Sequence, residues 1–486
     1  MSVAKHTAYN LAGSAVSIGV TLVTVPLYLE LIGLERFGVL SLCWVFVGYF
    51  AFFDFGIGRA TAQKMATLAD SSPQERNRLF WSSAALSAGL AVVGALLFWP
   101  IAALAVKWME ATPALLAEAR AALWLLVMVV PLAVIQSVLF GSLEGRRAFG
   151  PVNVVGVVGN VLTAVLPLLS AVLFEPRIDL LIASTLAARL FLLVALSILC
   201  HRLVPVRSPA AMDRSETSAL LKFGGWATVT SIVGPILVYF DRLAIGAWIG
   251  AAAVAFYVIG FNLVMQLQVI PFSLGRALFP RLAELGEHEA RGRSEDAAKA
   301  LSAVVTPLAV LAIVAVEPFL QIWLGAQVAD ESAPLTRILV AGFWMNALAQ
   351  MSYTQLHARG RADVPARIHL LEVLPYVAML YLGIHFFGLI GAAFAWTLRC
   401  LADLVLLSRQ TDVRSVMMQQ LATNGVLVTL AAIAMSVPLS IPVQIFFGAA
   451  MLSASAFMSW RTIPANLRGD AIRSLGRIFP LESRRG

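Results

Sequence analysis

Two arginines stand where so apolar a chain has little reason to keep them. Arg189 and Arg242 each fall inside a long apolar run. A guanidinium is planar, permanently charged and forked, which suits it to phosphate and carboxylate groups. The chemistry open to this pair is recognition of an anion. Carboxylates occupy comparable positions: Asp54, Asp241, Glu317 and Glu372. Acids inside a membrane can take up a proton or a small cation, and the same residues can equally form salt bridges between helices. Arg399 and Asp403 are four residues apart, so mutual pairing is the simpler expectation for them. Asp54 precedes Phe55-Gly56 near a span end, which favours a structural or gating role.

Uncharged polar side chains accompany these charges. Asn10, Ser14, Ser17, Thr21, Thr24 and Tyr28 follow a 3.6-residue stride and share one helix face. Thr228, Ser231, Pro235, Tyr239 and Arg242 do the same, as do Asn262, Gln266, Ser273 and Arg276. Such faces line a polar cavity or let helices pack closely through small residues. For the stripe that includes Tyr239 and Arg242, cavity lining is the stronger expectation.

The elements that must position these residues are membrane helices. Of 486 residues, 60% are hydrophobic and 13% charged, with a mean hydropathy of +0.85. A soluble protein carries about 25% charged residues, so composition excludes a cytosolic enzyme, a nucleic-acid binder and a disordered chain. A spanning helix needs about 20 apolar residues. Roughly fourteen such runs follow one another, at 8–32, 37–57, 79–106, 119–143, 152–174, 180–203 and 221–249, then 252–278, 300–324, 335–356, 368–387, 389–407, 421–439 and 441–458. They are continuous rather than alternating, which predicts an all-α integral membrane protein and not a β-barrel. The first run is too long for a secretory signal and is expected to be retained.

Basic residues set the orientation. Most of the 35 fall on one set of alternate loops, and outside them stand only Arg36, Lys107, Arg120, Arg177 and Arg337, with Arg189, Arg242 and Arg399 within spans. Both termini are therefore expected in the cytoplasm. Segments Thr61–Arg78, Val204–Leu220 and Arg281–Lys299 read as polar cytoplasmic linkers. Segment 461–486 reads as a basic amphipathic tail on the inner leaflet. Cys43, Cys200 and Cys400 lie in apolar runs, so neither a disulfide nor a metal site is expected. No HExxH, Walker A or GxSxG pattern is present, and no loop is long enough for a catalytic domain, so no enzyme and no cofactor are expected.

The chain also resembles itself. Ile32-Gly33 and Gly58-Arg59-Ala60 recur as Ile249-Gly250 and Gly275-Arg276-Ala277, 217 residues later. Arg147-Ala148 with Pro151 recurs as Arg361-Ala362 with Pro365, 214 residues later. This predicts a parallel six-plus-six helix repeat. Its expected parts are a first lobe (1–203), a linker (204–220), a second lobe (221–410), an additional helix pair (411–460) and the tail.

Asn10, Pro26, Gly33, Phe37-Gly38 and Asp54-Phe55-Gly56 resemble the opening of the polysaccharide-biosynthesis, or O-antigen, flippases. Asp241-Arg242, Gly246, Tyr257 and Phe279-Pro280-Arg281 resemble that family's seventh and eighth helices. The family belongs to the multidrug/oligosaccharidyl-lipid/polysaccharide exporter superfamily. The resemblance implies two six-helix lobes in a V around a cavity, in a bacterial inner membrane. It implies an undecaprenyl-pyrophosphate-linked oligosaccharide as substrate, flipped outward by alternating access for surface polysaccharide. Membrane lipids, a polysaccharide polymerase and chain-length proteins are the implied partners, with no nucleic acid; whether proton or sodium coupling is used stays open. Members often have twelve helices, and the additional pair is closer to the lipid II flippase branch. Two other readings stay open: a cation-coupled multidrug exporter of the same superfamily, and a non-transporting scaffold for cell-envelope assembly.

Overall fold

A computed structural model describes residues 3–49, 54, 56–68, 72–204, 233–234, 236–284, 287–437 and 440–463. Every regular element among the described residues is an α-helix. In chain order these are α1 (Val3–Tyr49), α2 (Ile57–Thr67), α3 (Pro73–Trp108), α4 (Pro113–Gly145), α5 (Phe149–Leu173) and α6 (Ile178–Leu203). Residues 236–248 form α7. Then come α8 (Ala251–Gln266), α9 (Val269–Glu284), α10 (Glu287–Leu324), α11 (Ala326–Ala358), α12 (Asp363–Ser408), α13 (Arg414–Ser436) and α14 (Ile441–Thr462). Of the expected linker 204–220, residues 205–220 lie outside the described residues, as does the tail beyond residue 463.

Ten helices among the described residues are long and apolar enough to cross a membrane. Two of them are broken at a glycine. Gly33 (φ 76, ψ 168) divides α1, and Gly388 (φ 58, ψ −135) divides α12. Both backbone angles belong to regions that side chains avoid. The breaks fall between runs 8–32 and 37–57 and between runs 368–387 and 389–407, where the sequence separates them. Leu96, Leu371, Leu374, Phe386 and Phe446 are among many large apolar side chains that face outward. A belt of this kind suits lipid and not water.

Two of the expected polar linkers are corrected. Much of Thr61–Arg78 is helical, as the end of α2 and the first turn of α3, and Arg281–Lys299 supplies the end of α9 and the start of α10. Local sequence explains this. Pro73 occupies the first turn of α3 after Ser72, whose hydroxyl accepts from Glu75 N at 3.3 Å. In α10, Arg291–Glu295 (3.0 Å) and Glu289–Arg293 (3.3 Å) pair one turn apart. The helices thus extend beyond their apolar runs. Arg337, expected in an outside loop, lies instead within α11, buried and paired with Glu317.

The chain forms two compact units, Met1–Val258 and Ile259–Gly486. In the first, α4 is central, packed by α2, α3 and α6, while α5 joins α1 to α6. Its core includes Ile57, Met65, Leu79, Leu143 and Leu196. In the second, α11 is central, between α10 and α12 and against α9, and α13 and α14 pack on α10. The two units share local devices. Helices α4 and α11 end on Arg146 and Arg359, both at φ −85, ψ 7, each followed by a left-handed residue, Arg147 (φ 60) or Gly360 (φ 71). In each case a residue two beyond the cap, Ala148 or Arg361, donates to a carbonyl five back, Leu143 or Leu356.

Candidate functional site

Arg189 sits 11 residues into α6, about 16 Å along the helix axis. The residue is half-buried, and from α4 the buried Gln136 donates from Nε2 to its backbone carbonyl at 2.7 Å. The Arg189 Nε is buried and has no hydrogen-bond partner among the described residues. An N–H in that state is costly unless something accepts from it, all the more on a charged group. The site therefore holds a cation with an unused donor at membrane depth.

Arg242 is engaged differently. It is buried on α7, its Nη1 donating to the Val238 carbonyl at 3.1 Å, and its guanidinium lies 4.9 Å from the Tyr239 ring centre. Asp241 beside it is fully buried. Its Oδ2 accepts from Tyr257 Oη at 2.6 Å, and its Oδ1 from the Arg242 amide at 2.7 Å. Asp241 thus ties α7 to α8, and Arg242 brings positive charge next to it. The Tyr257 contact was not foreseen as a pair, although both residues belong to the motif quoted above.

The α1 stripe turns inward on its own backbone where it is described. Ser17 donates to the Gly13 carbonyl and Thr21 to the Ser17 carbonyl, each at 3.0 Å. Tyr28 is buried, donates to the Ala164 carbonyl of α5 at 2.7 Å and meets Trp44 edge-on at 5.5 Å. The side chains of Asn10 and Ser14, and residues Thr228, Ser231 and Pro235, lie outside what is described. Asn262 is exposed and Gln266 half-buried on α8. Gln268, one turn-residue later, is buried and donates to Asn346 Oδ1 at 2.7 Å, a contact that sequence reading missed.

The carboxylates separate into roles. Buried Asp54 accepts the Gly58 amide on both oxygens, at 3.2 and 3.1 Å, and so caps the start of α2 after the left-handed Gly56. Glu317 pairs with Arg337, two residues the loop assignment had kept apart. Glu372, in the first arm of α12, lies 3.5 Å from Arg399 Nε in the second arm. Arg399 Nη2 is 3.7 Å from Asp403, the pair expected from their spacing. His369 Nε2 adds a fourth member, 3.2 Å from Asp403 Oδ1. His369 and Glu372 are three residues apart on one helix, a spacing that could have flagged a shared face.

A second group of charges braces the first unit. Arg36 grips Glu118 through Nη2 (2.7 Å) and Nε (3.2 Å), and Glu118 also accepts from the Ile178 amide at 3.1 Å. Glu35 accepts from the Thr112 amide at 2.9 Å. The break at Gly33 and the starts of α4 and α6 are thereby joined.

Comparison with known proteins agrees with this architecture. A family model described as polysaccharide biosynthesis protein matches residues 3–286, which contain every motif residue of the resemblance. A candidate O-antigen transporter of Shigella flexneri is 28% identical over 408 residues, covering 84% of this chain and 97% of that protein. Among solved structures, the lipid II flippase MurJ in an inward closed conformation superposes with a TM-score of 0.69 at 12% identity, over 94% of this chain and 98% of that one. An inward-facing multidrug resistance MATE transporter of the MOP superfamily gives 0.67 at 14% identity, over 84% and 99%. At these identities the likeness is one of fold. Charged and polar side chains carried on membrane helices, and a family match over more than half its length, place the chain in one group: it belongs to the polysaccharide biosynthesis protein family.

Proposed function

We propose that this protein is a flippase for an undecaprenyl-pyrophosphate-linked oligosaccharide, moving it from the cytoplasmic to the outer leaflet of a bacterial inner membrane by alternating access. The observation that carries the reading is the buried, unpartnered Nε of Arg189 at membrane depth. A lipid-linked glycan brings a diphosphate into the membrane, and guanidinium is the side chain that matches its oxygens and stays charged there. Arg242 supplies a second positive charge, held against Tyr239. The similarity to an O-antigen transporter supports the same substrate class.

The test is surface polysaccharide in cells carrying the protein as their sole flippase. Arg189→Ala is expected to abolish it while the protein still inserts, and Arg189→Lys to restore little, because an ammonium lacks the planar fork. Normal polysaccharide with Arg189→Ala would sink this assignment. Efflux of cationic drugs without any polysaccharide phenotype would favour the multidrug-exporter reading.

A further inference from the structure

The second unit contains a charge cluster that anion recognition does not use. His369, Glu372 and Asp403 each place one nitrogen or carboxylate oxygen within 4.8 Å of the others. Glu372 and Asp403 are nearly equidistant from the break at Gly388, so the two arms of α12 bring them to similar depth. The arms are held together tightly, since a Cβ on Gly391 would stand 1.8 Å from the Gly383 carbonyl oxygen. The groups facing the cluster are Tyr353 and His357 from α11, His369, Glu372 and Tyr376 from the first arm, and Arg399, Cys400 and Asp403 from the second.

Counting charge identifies what this cluster takes. Arg399 balances one of the two buried carboxylates, and a neutral His369 leaves the site one positive charge short. Glu372 is 5% exposed, and its Oε1 has no hydrogen-bond partner among the described residues. A buried carboxylate in that state is costly unless a cation reaches it. We propose that His369, Glu372 and Asp403 hold one exchangeable proton, with Arg399 fixed beside the two carboxylates. A hard cation such as sodium asks for several oxygen ligands. Here the third donor is an imidazole nitrogen, which binds a proton, and the guanidinium already stands near both carboxylates.

The route of exchange is marked by rings. The His369 side chain is 21% exposed, and its ring stacks on Tyr353 at 6.3 Å and 13°. Tyr353 in turn lies 4.2 Å from His357, in the last turn of α11. That turn leads into Arg359 and Arg361, a segment the charge pattern assigns to the cytoplasmic side. The proton site rests on this geometry alone. That its proton drives transport rests on the flippase reading, so the test reads protonation and not transport.

The experiment is pH-difference infrared spectroscopy on the full chain reconstituted in phosphatidylethanolamine–phosphatidylglycerol vesicles. The wild type is expected to show the C=O stretch of a protonated carboxyl in a water-poor site. Glu372→Gln and Asp403→Asn should each remove or shift that band, Glu331→Gln on an exposed surface should leave it, and His369→Gln should move the pH at which it forms. Labelling the wild type with 13C-glutamate or 13C-aspartate keeps the test valid even where a variant does not fold, because the band must then shift with one label. A band absent from the wild type, or indifferent to both labels and both carboxylate variants, would overturn the proposal. Loss of the band when sodium replaces choline would overturn it too, by making a metal cation the occupant.

Discussion

Gly58 of α2 touches Ser137 of α4 so closely that a Cβ at position 58 would stand 2.1 Å from the serine Oγ. The second unit repeats the relationship 217 residues later, where a Cβ on Gly275 would stand 2.9 Å from Thr354 Oγ1. Equivalent glycines meet equivalent hydroxyls, so each unit depends on a missing side chain to seat one helix on another. Gly58→Ala should cost about 1–3 kcal/mol through overpacking, since the serine backbone as well as its hydroxyl is in the way. Gly89→Ala, where nothing lies within 4 Å, should be neutral or slightly stabilising. Thermal midpoints of the detergent-solubilised proteins, followed by size exclusion, compare the two.

Tyr257→Phe should weaken the junction of α7 and α8. It removes the 2.6 Å bond to a carboxylate with no exposure at all, and an acceptor left short of a donor costs about 1–3 kcal/mol. Asp241→Asn should be milder than Asp241→Leu, because the amide keeps one oxygen to accept from the Arg242 amide and its NH2 can donate to the tyrosine hydroxyl, whereas leucine offers neither. Denaturation midpoints of the three variants give the order, and equal values for Asn and Leu would refute the bonding account.

Arg399→Met should be among the most damaging single changes in the second unit. It leaves Glu372 and Asp403 buried and facing each other with no fixed cation, a situation worth about 3–5 kcal/mol. Adding Asp403→Asn to the same chain should recover part of that loss, since the repulsion goes with the charge. A double-mutant cycle on thermal midpoints measures the coupling.

Glu118→Ala should loosen the first unit from one end. The carboxylate holds both Arg36 and the Ile178 amide, so its removal uncaps α6 as well as breaking an ion pair. About 1–2 kcal/mol is expected, mainly from the cap, because Arg36 is partly exposed. Amide hydrogen exchange should rise at the first turn of α6 and remain unchanged in α13.

Much of this architecture is legible in the sequence, for a physical reason. A membrane demands uninterrupted apolar length, so run ends such as 32/37 and 387/389 locate the breaks at Gly33 and Gly388. Pairings across a break are harder to read. Arg399 and Asp403 share one helix and announce themselves by spacing, whereas His369 reaches Asp403 only because two arms of matched length fold back at Gly388. Arg337 was misplaced because hydropathy counts its charge as loop, whereas in the fold it is buried within a helix and paired with the half-buried Glu317. Hydroxyl stripes misled in another way. Ser17 and Thr21 can satisfy themselves on their own helix, so periodicity alone does not say what they face.

The left-handed exit from α4 has a consequence for how the chain enters its membrane. Arg147 is the one non-glycine residue with positive φ among the described residues, where its counterpart Gly360 needs no strain to turn. That conformation costs an L-residue roughly 1 kcal/mol, and a glycine would relieve it. Arginine at this corner instead adds to a basic pair with Arg146, and such pairs are read by the insertion machinery while the chain is still being made. Arg147→Gly should therefore ease the turn in the finished protein while weakening the charge signal that orients the fourth and fifth helices.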